Sequence, residues 1–412
     1  MERICTQEAL VNVLVLNGGS SSQKSCLYRL EAPLPETPPP PLWRGTIDWS
    51  GGGWLVAQAG PHRLERQLTP EDRPRAIAHL LATLVEGETA VLSSWQEIEM
   101  VGHRVVHGGA DYSQPTLIDP TVKAAIRDLG ALAPAHNPVN LEGIEAVERC
   151  LGAVPQLAVF DTAFHQTIPA AAHTYPLPYT WYERGIRRYG FHGISHEYCS
   201  QRAAQLLGQP PSSLRLITCH LGNGCSLAAV LHGRSVDTTM GFTPLEGLMM
   251  GSRSGSIDPA IALHLQRAEG LTVAQVDHLL NKESGLKGIA GGAGDLREVL
   301  AGQEQGDDRA ALALAMYVHS LRRGIGEMLA SLGGVEALVF AGGVGENSPP
   351  VRAAACEALS CLGLRLDAAA NQARPRDCDI AAPDSTVRVL VIATNEDWAI
   401  AQACQRWYGA HG

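Results

Sequence analysis

LNGGSSSQKS, residues Leu16–Ser25, follows the apolar run VNVLV and precedes CLYRL. Gly18, four residues and then Gln23-Lys24-Ser25 fall one letter short of G-x-x-x-x-G-K-[ST], the loop that cradles nucleotide phosphates. The match fails twice. Gln23 stands where the loop needs its last glycine, and the following segment is a short strand ended by prolines rather than a helix. Taken alone, the stretch is a serine-rich hairpin in solvent. Its small residues would also let backbone N–H groups and the hydroxyls of Ser20, Ser21 and Ser22 face a phosphoryl group, with Lys24 adding charge.

The same design returns in LRLITCHLGNGCSLAAVLHG, residues 214–233: an apolar strand, a small-residue turn and a second apolar strand. The two segments share an order of features more than letters, and we read two related halves, each opening on a phosphate-sized turn. Between and after them strands alternate with helices. PRAIAHLLATLVEG and TVKAAIRDLGALA have helical spacing. VPQLAVFDTAF is a strand ending at Asp161. HGISHEYCSQRAAQLLG is a helix with Ser195 as N-cap and Gly208 past its end. VEALVFAGGVGENSPPVRAAACEALSCLG is a strand, a glycine turn and a helix capped by Ser348 with Pro349 at its first position. VRVLVIATNEDWAIAQAC repeats strand into helix. The alternation predicts an α/β protein in two lobes. The Pro-rich stretch 31–43, EAPLPETPPPPLW, is predicted to be an extended surface connection.

Composition narrows the function. The chain has 412 residues, enough for two domains, with 45% hydrophobic and 18% charged residues. Its formal net charge of −10 carries no basic footprint for nucleic acid. An anionic substrate stays possible where local Arg and Lys focus the field. The 10 cysteines form no C-x-x-C and no zinc spacing, and are read as reduced, buried thiols of a cytoplasmic protein. No signal pattern opens the sequence, and no apolar run reaches membrane-spanning length.

The residues able to carry chemistry lie at strand ends and in glycine-rich turns. Arg104 sits inside the apolar run of GHRVVHGG, where a guanidinium needs a carboxylate or phosphate partner. His192 precedes a helix start, where it can touch an anion. Arg253 is flanked by Gly251 and Gly255 in MGFTPLEGLMMGSRSGSIDP, a stretch suited to a loop folded over a ligand. Glu396 opens a helix after a strand and reads either as a metal carboxylate or as a helix-dipole acid. Each has a bland structural reading by itself. Together they match the needs of phosphoryl transfer: cations to absorb charge, a metal site, and turns for a nucleotide.

In order and spacing these motifs resemble the acetate kinase family, the acetokinases of the actin, heat-shock chaperone and sugar-kinase superfamily. The resemblance runs from Val13 to Ala401 through LNGGSSSQKS, GHRVVHGG, LAPAHNP, FDTAFHQTIP, RYGFHGISH, HLGNGCSLAAV, DTTMGFTPLEGLMMGSRSG, NKESGLKGI, AGGVGENSPPVR and IATNEDWAIA. It implies two lobes of a duplicated ribonuclease H-like, actin-like βββαβαβα fold with the active site in the cleft. The N-terminal lobe would be residues 1–160 plus 398–412, and the ATP-binding C-terminal lobe 161–397. It implies reversible transfer between ATP and acetate, giving ADP and acetyl phosphate, with magnesium or manganese.

By that resemblance Asn17 and Glu396 hold the metal, and Lys24, Ser20 and Ser22 face the phosphates. Arg104 binds the acetate carboxylate, Asp161 is the active-site acid, and His192 and Arg253 stabilise the transition state. His220, Leu221, Gly222, Asn223 and Gly224 contact ATP, as do Asp295, Leu296 and Arg297, and Gly343, Val344, Gly345, Glu346 and Asn347. Val106, Ala135, His136, Phe191 and Pro244 line the acyl pocket. Ala135 stands where the family commonly has Leu, and Ser256 where it commonly has Asp. The first leaves room for a longer acid, so a propionate or broader short-chain kinase is the alternative. An ATP-driven chaperone module is a distant one, because no residues remain for a peptide-binding domain. A homodimer formed through the second lobe, and closure on ligand, also follow from the resemblance.

Overall fold

In the computed structural model, which describes residues 10–19, 22–49, 53–68, 73–292, 294–373 and 376–411, each half of the chain builds a sheet with the same inner strand order. The chain divides into two compact units. One runs to Ala163 and takes back the chain from Asn395; the other spans Phe164–Thr394.

The first unit holds β1 (Val11–Gly18), β2 (Ser22–Leu30), β3 (Trp43–Asp48), β4 (Trp54–Ala59), β5 (His62–Gln67), β6 (Met100–Val105), β7 (Thr116–Leu117) and β8 (Gln156–Phe160), in the order β5-β4-β3-β2-β1-β6-β8-β7. β1 runs antiparallel to β2 and parallel to β6. A central strand covered on both faces must be apolar on both, and VNVLVL is. Leu14 and Leu16 share a buried core with Leu27, Trp43, Ile77 and Leu80, where helices Arg73–Ala82 and Asn137–Leu151 pack. Alternation sends Val13 and Val15 to the other face, which carries helix Glu396–His411. Gly102 on β6 permits that approach: a Cβ there would lie 2.5 Å from Ile400 Cγ2 and 2.6 Å from Cys404 Sγ.

The second unit holds β9 (Arg215–Leu221), β10 (Cys225–Leu231), β11 (Arg234–Thr238), β12 (Ala337–Ala341), β13 (Cys378–Asp379) and β14 (Arg388–Val391), in the order β11-β10-β9-β12-β14-β13. Its inner order β11-β10-β9-β12-β14 repeats β3-β2-β1-β6-β8. Two antiparallel pairings are followed by two parallel ones in both sheets. The duplication expected from the two hairpins is therefore a duplication of topology. The 25-residue helix Asp308–Leu332 packs on β10, and helix Gly193–Leu207 on β9.

Two local expectations are corrected. Helix Gly193–Leu207 is capped by His192, in the left-handed conformation at φ 57°, and not by Ser195, which lies inside its first turn with its hydroxyl on His220 Nδ1 at 2.8 Å. GVGEN is not a plain turn, because Gly342–Asn347 is helical. The buried Arg352 explains this: its Nη1 donates to the carbonyls of Gly345 and Glu346 at 2.8 and 2.9 Å, supplying partners that the short helix lacks. Residues 31–42 form neither helix nor strand, and the nine described cysteines are free, six of them buried.

Candidate active site

In the first unit the functional side chains stand at the carboxyl ends of the parallel strands β1, β6 and β8, the usual place for a ligand in an α/β sheet. Asn17 ends β1 beside Lys24 of β2, which is exposed. Arg104 lies on β6, and Asp161 follows β8. Arg104 reaches Asp161 with two nitrogens, Nη2 to Oδ2 at 2.5 Å and Nε to Oδ1 at 3.2 Å. Its Nη1 donates to Asn17 Oδ1 at 3.4 Å. The Asn17 amide in turn donates to Glu396 Oε2 at 3.1 Å and Asp397 Oδ1 at 3.2 Å. Glu396 and Asp397 open their helix, where the backbone dipole favours acids.

Burial pushes Asp161 up to about 6, with the charge of Glu396 adding and Arg104 opposing. Burial alone would lower Arg104, but Asp161, Glu396 and Asp397 outweigh it and hold the guanidinium firmly charged. Among the described residues no group of three or more His, Cys, Asp or Glu forms a metal cage. Two carboxylates beside an amide still suit a hard cation that keeps water and phosphate oxygens as its other ligands, as magnesium does.

Asn140 locks this corner together. Its Oδ1 accepts from Val106 N at 3.1 Å and its Nδ2 donates to Gly18 O at 3.0 Å, tying the end of β6 to the end of β1. Val106 is buried, Ala135 exposed and His136 half-buried at the start of helix Asn137–Leu151. Ser22 opens β2, its carbonyl accepting from Gly19 N at 2.8 Å. Ser20 lies outside the described residues.

The second unit gathers histidines and an arginine at the β9–β10 turn. His192 stacks on His220 with ring centroids 4.2 Å apart. Gly224 marks where His192 and Arg253 converge: a Cβ there would be 3.5 Å from His192 Nε2 and 3.5 Å from Arg253 Nη1. Arg253 Nη1 donates to the Pro244 carbonyl at 3.3 Å. No carboxylate pairs with Arg253 among the described residues, and burial lowers its pKa. Arg253 is half-buried, and a partly desolvated cation without a counter-ion gains when an anion joins it. Phe191 is buried, and its carbonyl accepts from His165 Nε2 at 3.0 Å.

Beside this turn a cavity of about 1020 Å³ opens. Gly222 and Asn223 line it from the turn, and Asp295, Leu296 and Arg297 from a helix start. Gly343, Val344 and Asn347 line it from the short helix. Its size suits a nucleotide. His220, Leu221, Gly224, Gly345 and Glu346 do not line it. Leu221 and Gly345 are backbone supports. A Cβ at Gly342 would strike the Leu221 carbonyl at 2.7 Å, and Gly345 is tied to Arg352. Glu346 accepts from Thr394 N at 2.9 Å. Arg297 is occupied by Asp295, Nη2 to Oδ2 at 2.5 Å.

Sequence reading missed Asp397, Asn140, Arg352, Ser226 and His196. His196 lies four residues after His192, a spacing that shares one helix face, and Arg352 is the one basic residue of helix Pro349–Glu357. Asn140 and Ser226 carry no such signal.

Groups that absorb anionic charge gather in one unit and groups that suit a hard cation in the other, the inventory of a phosphoryl-transfer enzyme. The sequence profile of the Acetokinase family matches residues 12–402. An acetate kinase of Gloeobacter violaceus is 61% identical over 96% of this chain and 98% of its own length. The crystal structure of Porphyromonas gingivalis acetate kinase superposes with a TM-score of 0.88 at 39% identity, covering 96% of this chain and 99% of that one. A propionate kinase from Francisella tularensis gives a TM-score of 0.88 at 38% identity, covering 96% and 100%. The chain belongs to the acetokinase family. It is a phosphotransferase with a carboxyl group as acceptor, and with that membership come ATP and a divalent cation.

Proposed function

We propose that the enzyme transfers the γ-phosphoryl group of ATP to acetate, reversibly and in line. An acetate oxygen attacks the γ-phosphorus, the bond to the β-phosphate bridging oxygen breaks, and acetyl phosphate and ADP leave. The observation that carries this reading is Arg253, half-buried, without a carboxylate partner among the described residues, and converging with His192 on Gly224. Arg253 offers positive charge where equatorial phosphoryl oxygens gain charge, and His192 adds a donor there once its ring is protonated.

Arg104 receives the acetate carboxylate, and its grip on Asp161 keeps the fork oriented. Val106, Ala135 and His136 of the first unit, and Phe191 and Pro244 of the second, are the residues that the family resemblance assigns to the acyl group. Asn17 and Glu396 hold magnesium, with manganese as a substitute; the cation neutralises phosphate charge when bound. Lys24, Ser20 and Ser22 attend the phosphates, and the cavity beside Gly222 and Asn223 takes the nucleoside. The enzyme works in the cytoplasm as a homodimer through its second unit. Among the described residues no helix is long and apolar enough to cross a membrane.

A preference for propionate is the second reading. Ala135 in place of the family's usual Leu favours it. Each buried methylene is worth about 0.8 kcal/mol, so small differences in the pocket decide. Trapping acyl phosphate as hydroxamate with C2 to C4 acids tests both. Acetate is expected to give the highest kcat/KM with propionate tolerated. A higher value for propionate selects the second reading, and ATP hydrolysis indifferent to carboxylate refutes both.

A further inference from the structure

A buried hydrogen-bond relay stands behind His192. His192 Nδ1 lies 2.9 Å from Ser226 Oγ, which lies 2.7 Å from His196 Nε2. His196 Nδ1 lies 2.7 Å from Thr218 Oγ1, and that hydroxyl donates to the Ala228 carbonyl at 3.5 Å. Ser226, His196 and Thr218 are all at most 1% exposed, so water cannot reorder the chain. We propose that Ser226 and His196 are positioning residues that hold His192 as its Nδ1–H tautomer and aim Nε2 toward the Arg253 side of Gly224. The inference rests on the phosphoryl-binding role of His192 and Arg253 given above.

The direction of the relay follows from its closed end. With the Thr218 hydroxyl turned to the Ala228 carbonyl at 3.5 Å, its oxygen accepts from His196 Nδ1–H at 2.7 Å, the direction we infer. Burial, with His165 and His220 nearby, drives the His196 pKa well below its ordinary value, so the ring is neutral and its Nε2 has a lone pair. Ser226 O–H therefore donates to His196 and accepts from His192 Nδ1–H. A neutral His192 then presents Nε2 as an acceptor. It donates from Nε2 to a phosphoryl oxygen only when the ring is protonated.

The relay also has mechanical work. His192 sits at φ 57°, a conformation that costs a residue with a side chain and persists only when its surroundings hold it. Gly193 and the helix it begins fix one side of the residue, and Ser226 holds the ring itself. Groups that face the ring include His220 stacked on it, Arg253 across Gly224, and His196 through Ser226.

Three proteins test this: wild type, Ser226→Ala and His192→Ala. In ¹⁵N-histidine-labelled wild type, Nδ1 of His192 should resonate as protonated and Nε2 as unprotonated at high pH. The opposite pattern overturns the tautomer assignment. Ser226→Ala should fold, lose about tenfold to a hundredfold in kcat with KM for ATP nearly unchanged, and shift the pH profile of kcat. Ser226→Thr, which keeps the hydroxyl, should restore part of the rate. A folded Ser226→Ala with wild-type kcat and pH profile, beside an impaired His192→Ala, overturns the relay and leaves the functional reading intact. A fully active His192→Ala overturns the functional reading on which the relay depends. If Ser226→Ala does not fold, the labelling result on the wild type alone decides.

Discussion

Arg104 holds Asp161 by two parallel contacts, 2.5 and 3.2 Å, with the carboxylate wholly out of solvent and the guanidinium side chain 15% exposed. Removing one partner strands the other. Asp161→Ala should destabilise the protein by about 3 to 5 kcal/mol and abolish turnover. Urea unfolding followed by circular dichroism measures the first effect, and a loss under 1 kcal/mol would contradict the buried pair.

The same carboxyl sets a pH dependence. Its folded pKa is raised from 3.8 to about 6, so the folded state holds the proton more tightly than the unfolded chain. Stability from this group is present at low pH and lost as pH rises through the folded value. Between those two values rising pH should erode Asp161's contribution. Asp161→Asn does not titrate and should flatten that part of the curve. Melting temperatures of both proteins across the window check this, and parallel curves would count against it.

Arg253 contrasts with Arg104 because it is half-buried and has no carboxylate partner among the described residues. Removing such a charge relieves a desolvation cost. Arg253→Ala should keep the melting temperature at or above wild type while kcat falls on the order of 10²- to 10³-fold. Unchanged turnover in the folded variant would defeat its assignment.

Gly102→Ala places a methyl 2.5 Å from Ile400 and 2.6 Å from Cys404, on the helix that begins with Glu396 and Asp397. Overpacking should cost about 1 to 3 kcal/mol. If the helix yields, the acids move with it, so the magnesium concentration for half-maximal rate should rise as well. Thermal melts and a magnesium titration of initial rate read the two effects.

Glu396→Gln keeps the shape of the side chain and removes its charge. Chelation with EDTA should abolish activity in the wild type, and the variant should need about tenfold to a hundredfold more magnesium. An unchanged magnesium requirement would remove Glu396 from the metal site.

Much of the architecture was legible because it is local. An apolar run, a small-residue turn and a second apolar run name a hairpin, and two such hairpins forecast the repeated strand order. The failed phosphate-loop match at Gln23 was informative in the same way: no helix follows, Leu16–Gly18 close β1 and Ser22–Ser25 begin β2, with Gly18 opposite Gln23. The start of helix Gly193–Leu207 was misread because a histidine at positive φ has no signature in composition.

Residue type and order pointed to the family through the resemblance of its motifs, and by themselves determined the two-unit α/β plan and the strand end at Asp161. These depend on periodicity and turn chemistry, which act over a few residues. Only the tertiary structure decided which groups are paired and which are not. Arg104 and Arg253 are the same letter, one in an apolar strand and one in a Gly/Ser loop. Asp161, 57 positions away, answers one of them, and no described carboxylate answers the other. The Ser226 hydroxyl meets His192 across 34 residues and His196 across 30, and Arg352 bonds to backbone carbonyls that any residue could supply. Such partners are set by packing of distant segments at hydrogen-bond distance, and one-dimensional spacing carries no record of that.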